Sequence, residues 1–326
     1  MSARPRVSVC IPTVDRPDLL REAIGSVARQ TWKDLEVIVA DNSADPRLQR
    51  QIDDVLGEFR DLAIVLKRHP ARLDAIDNFN SLIDAAQGEL WACLPDDDRF
   101  TPDFLELSVA ALDRHPECAF TFADHAIMRA NGEVDEALSR ANSIKFARAA
   151  LHERVYHHDE LFPLVLKQAI CLQTALFRRP VVAGLRFVPG IMAGDHSFFL
   201  RLSTGQTRFE AYYIPKRLFE YRIHEAQITS TTKRRDLLKA QIASYATAGT
   251  IPRRYRAAFN EKVGRCHLAL ALLDAEEGDL ASARAYAARS LRLSPRPRTI
   301  AAAALILVAP SAISSLRDLT RRFTFG

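Results

Sequence analysis

Along the first hundred residues, short apolar runs alternate with segments whose apolar positions recur every three or four residues. Val7–Ile11 is a largely apolar run closed by Pro12, and Leu35–Ala40 is a second, ending at Asp41-Asn42-Ser43. Leu62–Leu66 reads as a third extended segment and Leu90–Leu94 as a fourth, running into Pro95-Asp96-Asp97-Asp98. Between them Leu19–Gln30, Leu48–Phe59 and Leu73–Ala86 carry the helical period, and Pro102–Arg114 follows as a helix with Thr101 as its expected N-cap. Buried strands alternating with helices of this length form βαβ units. The expected class is therefore α/β, with a mostly parallel, Rossmann-like sheet flanked by helices.

The middle of the chain is mixed. Cys118–Met128 reads as a strand leading into an Asn131-Gly132 turn, Val134–Tyr156 as a polar loop, and Ile170–Phe177 and Tyr212–Tyr221 as further strands. A short helix is expected near Ser197–Ser203. From about Thr232 the strand signal stops, and Ala, Leu and Arg dominate. The expected domains are 1–231, carrying the sheet, and 232–326, a small all-α region.

In an open α/β sheet, ligands bind outside the carboxyl ends of the strands. Three of the four early strands end there in polar signals: Pro12–Arg16, Asp41–Ser43 and Asp96–Asp98. A single carboxylate at such a place is commonly a helix cap or a solvated loop residue. Three consecutive aspartates repel one another unless a cation is present, and hard oxygen ligands suit Mg²⁺ or Mn²⁺ bridging to phosphate. None of the 12 glycines completes a dinucleotide-binding or P-loop motif, and there is no G-x-S-x-G elbow. His152-Glu153 with His157 is one residue too long for a zincin helix and reads as surface.

These segments resemble family 2 glycosyltransferases of the GT-A fold. Val7–Pro46 is similar to that family's opening, and Asn80–Asp98 to its second block, in which an Asn precedes a Gly by eight residues and a strand then enters the acidic turn. Gly194–Leu202 (GDHSFFLRL) resembles its acceptor-side block, and Tyr221–Ser230 (YRIHEAQITS) its closing element. Four blocks in order, over roughly residues 5–230, are more specific than any one.

The resemblance implies that Asp41 hydrogen-bonds a nucleotide base. Pro12, Thr13, Asp15 and Arg16 would lie against ribose and diphosphate, with Asn80 part of the same nucleotide-sugar site. Asp96 would face the ribose and Asp97 the divalent ion, supported by Asp98, with His224 a further metal or diphosphate contact. Asp195 would be the general base; an ordinary helix cap is the plainer reading of that residue. The pattern also departs from the family. Asp15 stands where Asn is common and Val14 where an aromatic is. Phe79 replaces an Arg, for which Arg72 or Arg16 would substitute, and Gly194 replaces an acid.

The implied activity is inverting, metal-dependent transfer of a sugar from a nucleotide-diphosphate donor, with a UDP-sugar favoured. The acceptor would be a hydroxyl of a saccharide or a lipid-linked molecule in bacterial surface-polysaccharide assembly. Two alternatives remain: a GT-A-like nucleotidyltransferase, which usually opens on a glycine-rich loop absent here, and a non-catalytic scaffold working through the helical tail.

Composition changes this picture little. Hydrophobic residues at 48% and charged residues at 26% describe a globular chain with a substantial core. The net charge is +5, with 37 arginines among the 45 basic residues. That suits phosphate or anionic lipid, and equally the codon usage of a GC-rich genome. The basic pairs are scattered, so no nucleic-acid partner is expected. The five cysteines are far apart, as buried thiols in a reducing cytosol would be. The opening residues lack the apolar stretch of a signal peptide. The expected location is cytoplasmic.

The tail adds a second resemblance. Gly278–Pro295 is similar to the second helix of a tetratricopeptide unit, with Cys266–Glu277 supplying the first; one pair is too few for a free-standing array. Ile300–Ala309 is apolar for ten residues, half of what a membrane span needs. Ile313–Phe325 mixes apolar positions with Arg317, Arg321 and Arg322, so a peripheral membrane contact through these helices is a further expectation, set against simple packing on the preceding pair.

Overall fold

The structure, a computed structural model, describes residues 4–308 apart from 226 and 228–230. Among these residues the chain forms two compact units. The first runs to Gly190 and resumes at Arg201–Gln227; the second comprises Ile191–Leu200 and the residues of 231–308.

The first unit is built on one mixed sheet. Its elements in chain order are β1 (Val7–Thr13), α1 (Pro17–Ala28), β2 (Leu35–Asp41), α2 (Pro46–Gly57), β3 (Ile64–Arg68), α3 (Ala75–Ala85) and β4 (Leu90–Cys93). Then come β5 (Arg99–Phe100), α4 (Phe104–Arg114), β6 (Cys118–Arg129), β7 (Val134–Asp135), α5 (Glu136–Lys145), β8 (Arg154–Tyr156) and α6 (His158–Leu166). β9 (Ala175–Arg178), α7 (Arg179–Leu185), α8 (Gly194–Thr204) and β10 (Glu210–Ile223) follow, with α8 straddling the break between the units. The main strand order is β3-β2-β1-β4-β9-β6-β10-β5. β3, β2, β1 and β4 are parallel to one another, and β6 is parallel to β10; β9 is antiparallel to both β4 and β6, so all the other long strands point one way. The expected mostly parallel α/β class is what the chain adopts.

The early strands are apolar on both faces because helices cover both. β2 is buried at every position, and β1 at all but Pro12. Glu36 is a buried acid among them. Glu36 Oε1 accepts hydrogen bonds from Ser8 Oγ at 2.6 Å, Gln87 N at 2.8 Å and Gly88 N at 3.2 Å, tying the approach of β4 to β1 and β2. Gly88 is required there, since a Cβ would stand 2.6 Å from the Ser8 backbone nitrogen. Pro17 and Pro46 open α1 and α2, and Asp45 and Asp74 cap α2 and α3 by accepting from Arg47 N and Ile76 N.

Three expectations need correction. Thr101 does not cap the fourth helix, which starts at Phe104. Arg99–Phe100 is drawn into the sheet against β10, and Thr101 N donates to Leu218 O. Val134–Tyr156 is not a loop but contains β7, α5 and β8. The buried face of α5 presents Ser139 and Ser143 rather than apolar residues, so its period carries no hydrophobic signal. Ile170–Phe177 is extended only from Ala175, after a 3₁₀ turn at Leu172–Thr174.

The second unit contains α9 (Arg234–Ala246), α10 (Arg256–Glu276), α11 (Leu280–Leu293) and α12 (Pro297–Val308). Gly278, at φ +85°, turns α10 into α11, and Asp279 caps α11 by accepting from Ser282 N. The helices meet through small and aliphatic side chains: Leu268, Ala271, Leu272 and Ala275 against Ala283, Ala287, Ala303 and Ile306. No helix among the described residues is long and apolar enough to cross a membrane. The expected interfacial helix at 313–325 lies outside the described residues.

Candidate active site

Because β1, β2, β4 and β10 run the same way, their carboxyl ends share one edge of the sheet. β1 delivers Thr13, β2 delivers Asp41, the turn after β4 delivers Asp96–Asp98, and His224 follows β10 directly. Thr13 Oγ1 donates to Asp96 Oδ2 at 2.8 Å. Arg16 Nη1 donates to Asp97 Oδ2 at 3.0 Å and reaches Asp96 Oδ1 at 3.4 Å. His224 Nε2 lies 3.1 Å from that same Asp97 oxygen.

Asp98 is held from below. Its Oδ1 accepts from Arg222 N at 2.8 Å, while Arg222 Nε donates to Asp97 O at 2.7 Å and Nη1 to Ala130 O at 2.9 Å. A further hydrogen bond from Arg222 Nη2 goes to Glu22 on α1. Arg222 therefore stands behind the acidic turn, holding Asp97 through its buried guanidinium and Asp98 through its backbone N–H.

Burial first, and the neighbouring Asp97 second, push the Asp96 carboxyl up to about 6, against the opposing pull of Thr13 and Arg16. Asp98, only 2% exposed, is raised well above the carboxylate range by burial and then by Asp97, despite the Arg222 N–H. Ionising all three carboxyls side by side is thus opposed by the turn's own surroundings, and a bound cation would relieve that.

Asp41 and Asp15 flank this cluster. Asp41 Oδ1 accepts from Ser43 N at 2.9 Å and its Oδ2 from Arg68 Nε at 2.8 Å; Ser43 Oγ in turn accepts from Asp15 N at 2.8 Å. Asp15 sits at φ +57°, a left-handed turn that Asp and Asn tolerate better than most residues. Its carboxylate is 3.8 Å from Arg72 Nη1. Pro12 is half-buried in β1 opposite Ala40.

Two expected residues make none of these contacts. Both ends of the Asn80 amide are committed to residue 187: Nδ2 donates to Phe187 O and Oδ1 accepts from Phe187 N, each at 2.9 Å. Phe79 packs its ring on Phe187 as well, at 5.7 Å between centroids. Asp195 belongs to the second unit, exposed in the first turn of α8, where its Oδ1 accepts from His196 N at 2.7 Å.

Sequence reasoning missed Arg222, Arg68 and Ser43. For Arg222 there was a signal, a lone arginine between Tyr221 and Ile223 in a buried strand, next to the histidine that was singled out.

The donor set fits a hard divalent ion on one condition. Among the described residues no three His, Cys, Asp or Glu side chains stand close enough to hold a metal by themselves. Asp97 and His224 do present an oxygen and a nitrogen 3.1 Å apart, the spacing of neighbouring ligands on a six-coordinate ion with bonds of about 2.1 Å. Mg²⁺ and Mn²⁺ are commonly held by one or two protein groups, with substrate phosphates completing the shell.

Comparison with known proteins follows the same line. Residues 8–162 match the family model described as glycosyl transferase family 2. GalNAc(5)-diNAcBac-PP-undecaprenol beta-1,3-glucosyltransferase from Campylobacter jejuni is 32% identical over 94 residues, covering 29% of this chain and 30% of that protein. The curated relatives matched are covered over only 13% to 47% of their own length. Among solved structures, S. aureus TarS 1–349 in complex with UDP-GlcNAc superposes with a TM-score of 0.68 at 16% identity, over 96% of this chain and 92% of that one. The mannosyltransferase PcManGT from Pyrobaculum calidifontis, in complex with GDP-Man and Mn²⁺, gives 0.60 at 18% identity, over 99% and 84%. Likeness at such identity is one of fold. Residues 8–162, just under half of the chain, thus match the glycosyl transferase family 2 model, and the chain shares its fold with these two structures.

Proposed function

We propose that the protein is an inverting glycosyltransferase that moves a sugar from a nucleotide-diphosphate donor to a hydroxyl of a saccharide or lipid-linked acceptor, in bacterial surface-glycan assembly. The observation that carries this reading is the convergence of Arg16 and His224 on one Asp97 oxygen, beside the buried Asp96 and Asp98. A donor's diphosphate would be met there by Arg16, while Asp97 and His224 would hold a Mn²⁺ or Mg²⁺ ion. Such an ion stabilises the charge that grows on the leaving diphosphate. Support for the donor class comes from TarS and PcManGT, whose structures contain UDP-GlcNAc and GDP-Man, and for the ion from the Mn²⁺ in the latter. The undecaprenol-linked substrate named for the Campylobacter relative supports a lipid-linked acceptor, for which a membrane contact through residues beyond 308 would serve.

In this reading the Thr13–Arg16 loop lies along ribose and diphosphate, Asp96 faces the ribose, and Asp41 with Arg68 borders the base. Asp195 takes the proton from the acceptor hydroxyl. That oxygen forms a bond to the anomeric carbon as the bond to the diphosphate oxygen breaks, and the electron pair leaves with the nucleoside diphosphate. Direct displacement inverts the anomeric centre. Placing a base for that proton is typically worth about 10²–10⁴-fold in rate.

A thermal-shift screen of nucleoside diphosphates with and without Mn²⁺ tests the reading. One base should raise Tm clearly more with Mn²⁺ than without it. Shifts of equal size in EDTA overturn the metal assignment, and no shift with any nucleotide overturns the donor class.

A further inference from the structure

Residues 191–200, which carry Asp195, belong to the same compact unit as the C-terminal helices. Their hold on that unit is specific. His196 Nδ1 lies 2.7 Å from Ser244 Oγ in the last turn of α9, and the imidazole stands edge-on to the Tyr245 ring at 5.0 Å. One residue on, Ser197 Oγ lies 3.2 Å from Thr247 Oγ1. Ser197, Ser244 and Tyr245 are buried, so these contacts are sheltered from water.

The hydrogen bonds also set the histidine's tautomer. The single Ser244 hydroxyl proton goes to Gln241 O at 2.8 Å, so Ser244 Oγ can only accept from the ring. Nδ1 therefore carries the hydrogen, and Nε2 is a bare, buried nitrogen without a hydrogen-bond partner among the described residues. The ring is anchored on one side only. The His196 backbone N–H in turn donates to Asp195 Oδ1 at 2.7 Å.

We infer that His196 is a positioning residue for Asp195 and that α9 is its anchor: the chain from Ser244 to the His196 ring, and from the His196 N–H to the Asp195 carboxylate, fixes the direction in which that carboxylate points. The inference rests on the assignment of Asp195 as base, and it gives the helical region a part in the reaction without a partner protein or a membrane. Misplacing a reacting group by about 1 Å costs on the order of 10²-fold, so a loosened anchor reduces turnover while leaving donor binding, which uses residues of the first unit, unchanged.

The test uses the full chain and two pairs of variants. Ser244→Ala removes the anchor, and Ser244→Thr restores an oxygen. His196→Leu removes the donor, and His196→Asn offers an amide N–H in place of Nδ1–H. Amide hydrogen exchange, which needs no ligand, should rise over 194–200 in Ser244→Ala and His196→Leu but not in their conservative counterparts, with β1, β2 and β4 unaffected in all four. Turnover of the nucleotide sugar picked out by the screen above should fall about 10- to 100-fold in the first member of each pair with donor KM within twofold, and recover in the second. Wild-type exchange and turnover in Ser244→Ala and His196→Leu overturn the inference. Asp195→Asn separates the two readings. If it retains turnover, the base assignment falls; if it is inactive while the anchor variants behave as wild type, only the positioning role falls.

Discussion

Two buried acidic clusters in the first unit have the same ingredients and opposite balance. In one, Asp124 on β6 receives Arg148 Nε on Oδ1 and Ser143 Oγ on Oδ2, both at 2.6 Å, with His125 and Asn142 beside the guanidinium. Arg148 is 1% exposed, so carboxylate and cation neutralise each other where water is absent. In the other, three aspartates in a row share Arg16, Arg222 and His224, and two of the carboxyls are pushed toward the neutral form. The first cluster is closed and holds α5 to the sheet. The second leaves at a sheet edge carboxyls whose joint ionisation is opposed from within, as a site completed by a cationic partner would. A buried carboxylate therefore says little by itself; whether its charge is answered from within separates a brace from a site.

The comparison breaks most sharply at Arg148. Replacing it by Met keeps the bulk but strands the Asp124 carboxylate, and removing one partner of a buried pair typically costs about 3–5 kcal/mol. Urea unfolding of Arg148→Met should show that loss, and a midpoint within error of wild type would mean the pair is not a brace. The matching change in the acidic turn should act the other way. Asp97→Asn removes a like charge from between two buried carboxyls, so without metal or nucleotide the protein should be as stable as wild type or slightly more so. It should at the same time lose the Mn²⁺-dependent part of the nucleotide shift. A large drop in metal-free Tm would show that Arg16 and His224 need Asp97 structurally.

A third effect is expected in pH dependence. Burial, then the charge of Arg148, lowers the His125 pKa to about 4. Between its ordinary value near 6.5 and about 4, the unfolded chain takes up a proton that the native protein does not. His125 therefore supports stability fully above about pH 6.5, and this contribution is lost as pH falls toward 4. A His125→Asn variant should show a shallower decline in stability across that window. An unchanged slope would remove His125 from the closed cluster.

Most of the sheet half was legible because its strands are apolar on both faces and its helices open on Pro, Asp or both. What escaped was polar or non-local. α5 buries serines, so no hydrophobic period marks it. β5 is two residues long and exists only because β10, more than a hundred residues later, pairs with it. Of the expected site residues, Thr13, Arg16, Asp96, Asp97 and His224 meet in one cluster, since each follows or ends a strand of the same direction. Asn80 was read as a ligand contact, and its amide is committed to Phe187, a partner that only the folded chain supplies. The allegiance of residues 191–200 to the C-terminal helices was equally invisible, because it depends on Ser244 and Thr247 meeting His196 and Ser197.

The reversed strand β9 sets a schedule for synthesis. β4 ends at Cys93, yet the neighbour that covers its free side begins only at Ala175. At about 5–20 residues per second, several seconds pass with the apolar Leu90–Cys93 edge unpaired, a template for pairing with another chain. The same strand then joins β4 to β6, so one late segment of four residues unites the two halves of the sheet. Slow emergence or a weakened β9 would thus show first as aggregation of nascent chains rather than as a lower melting temperature of the finished protein.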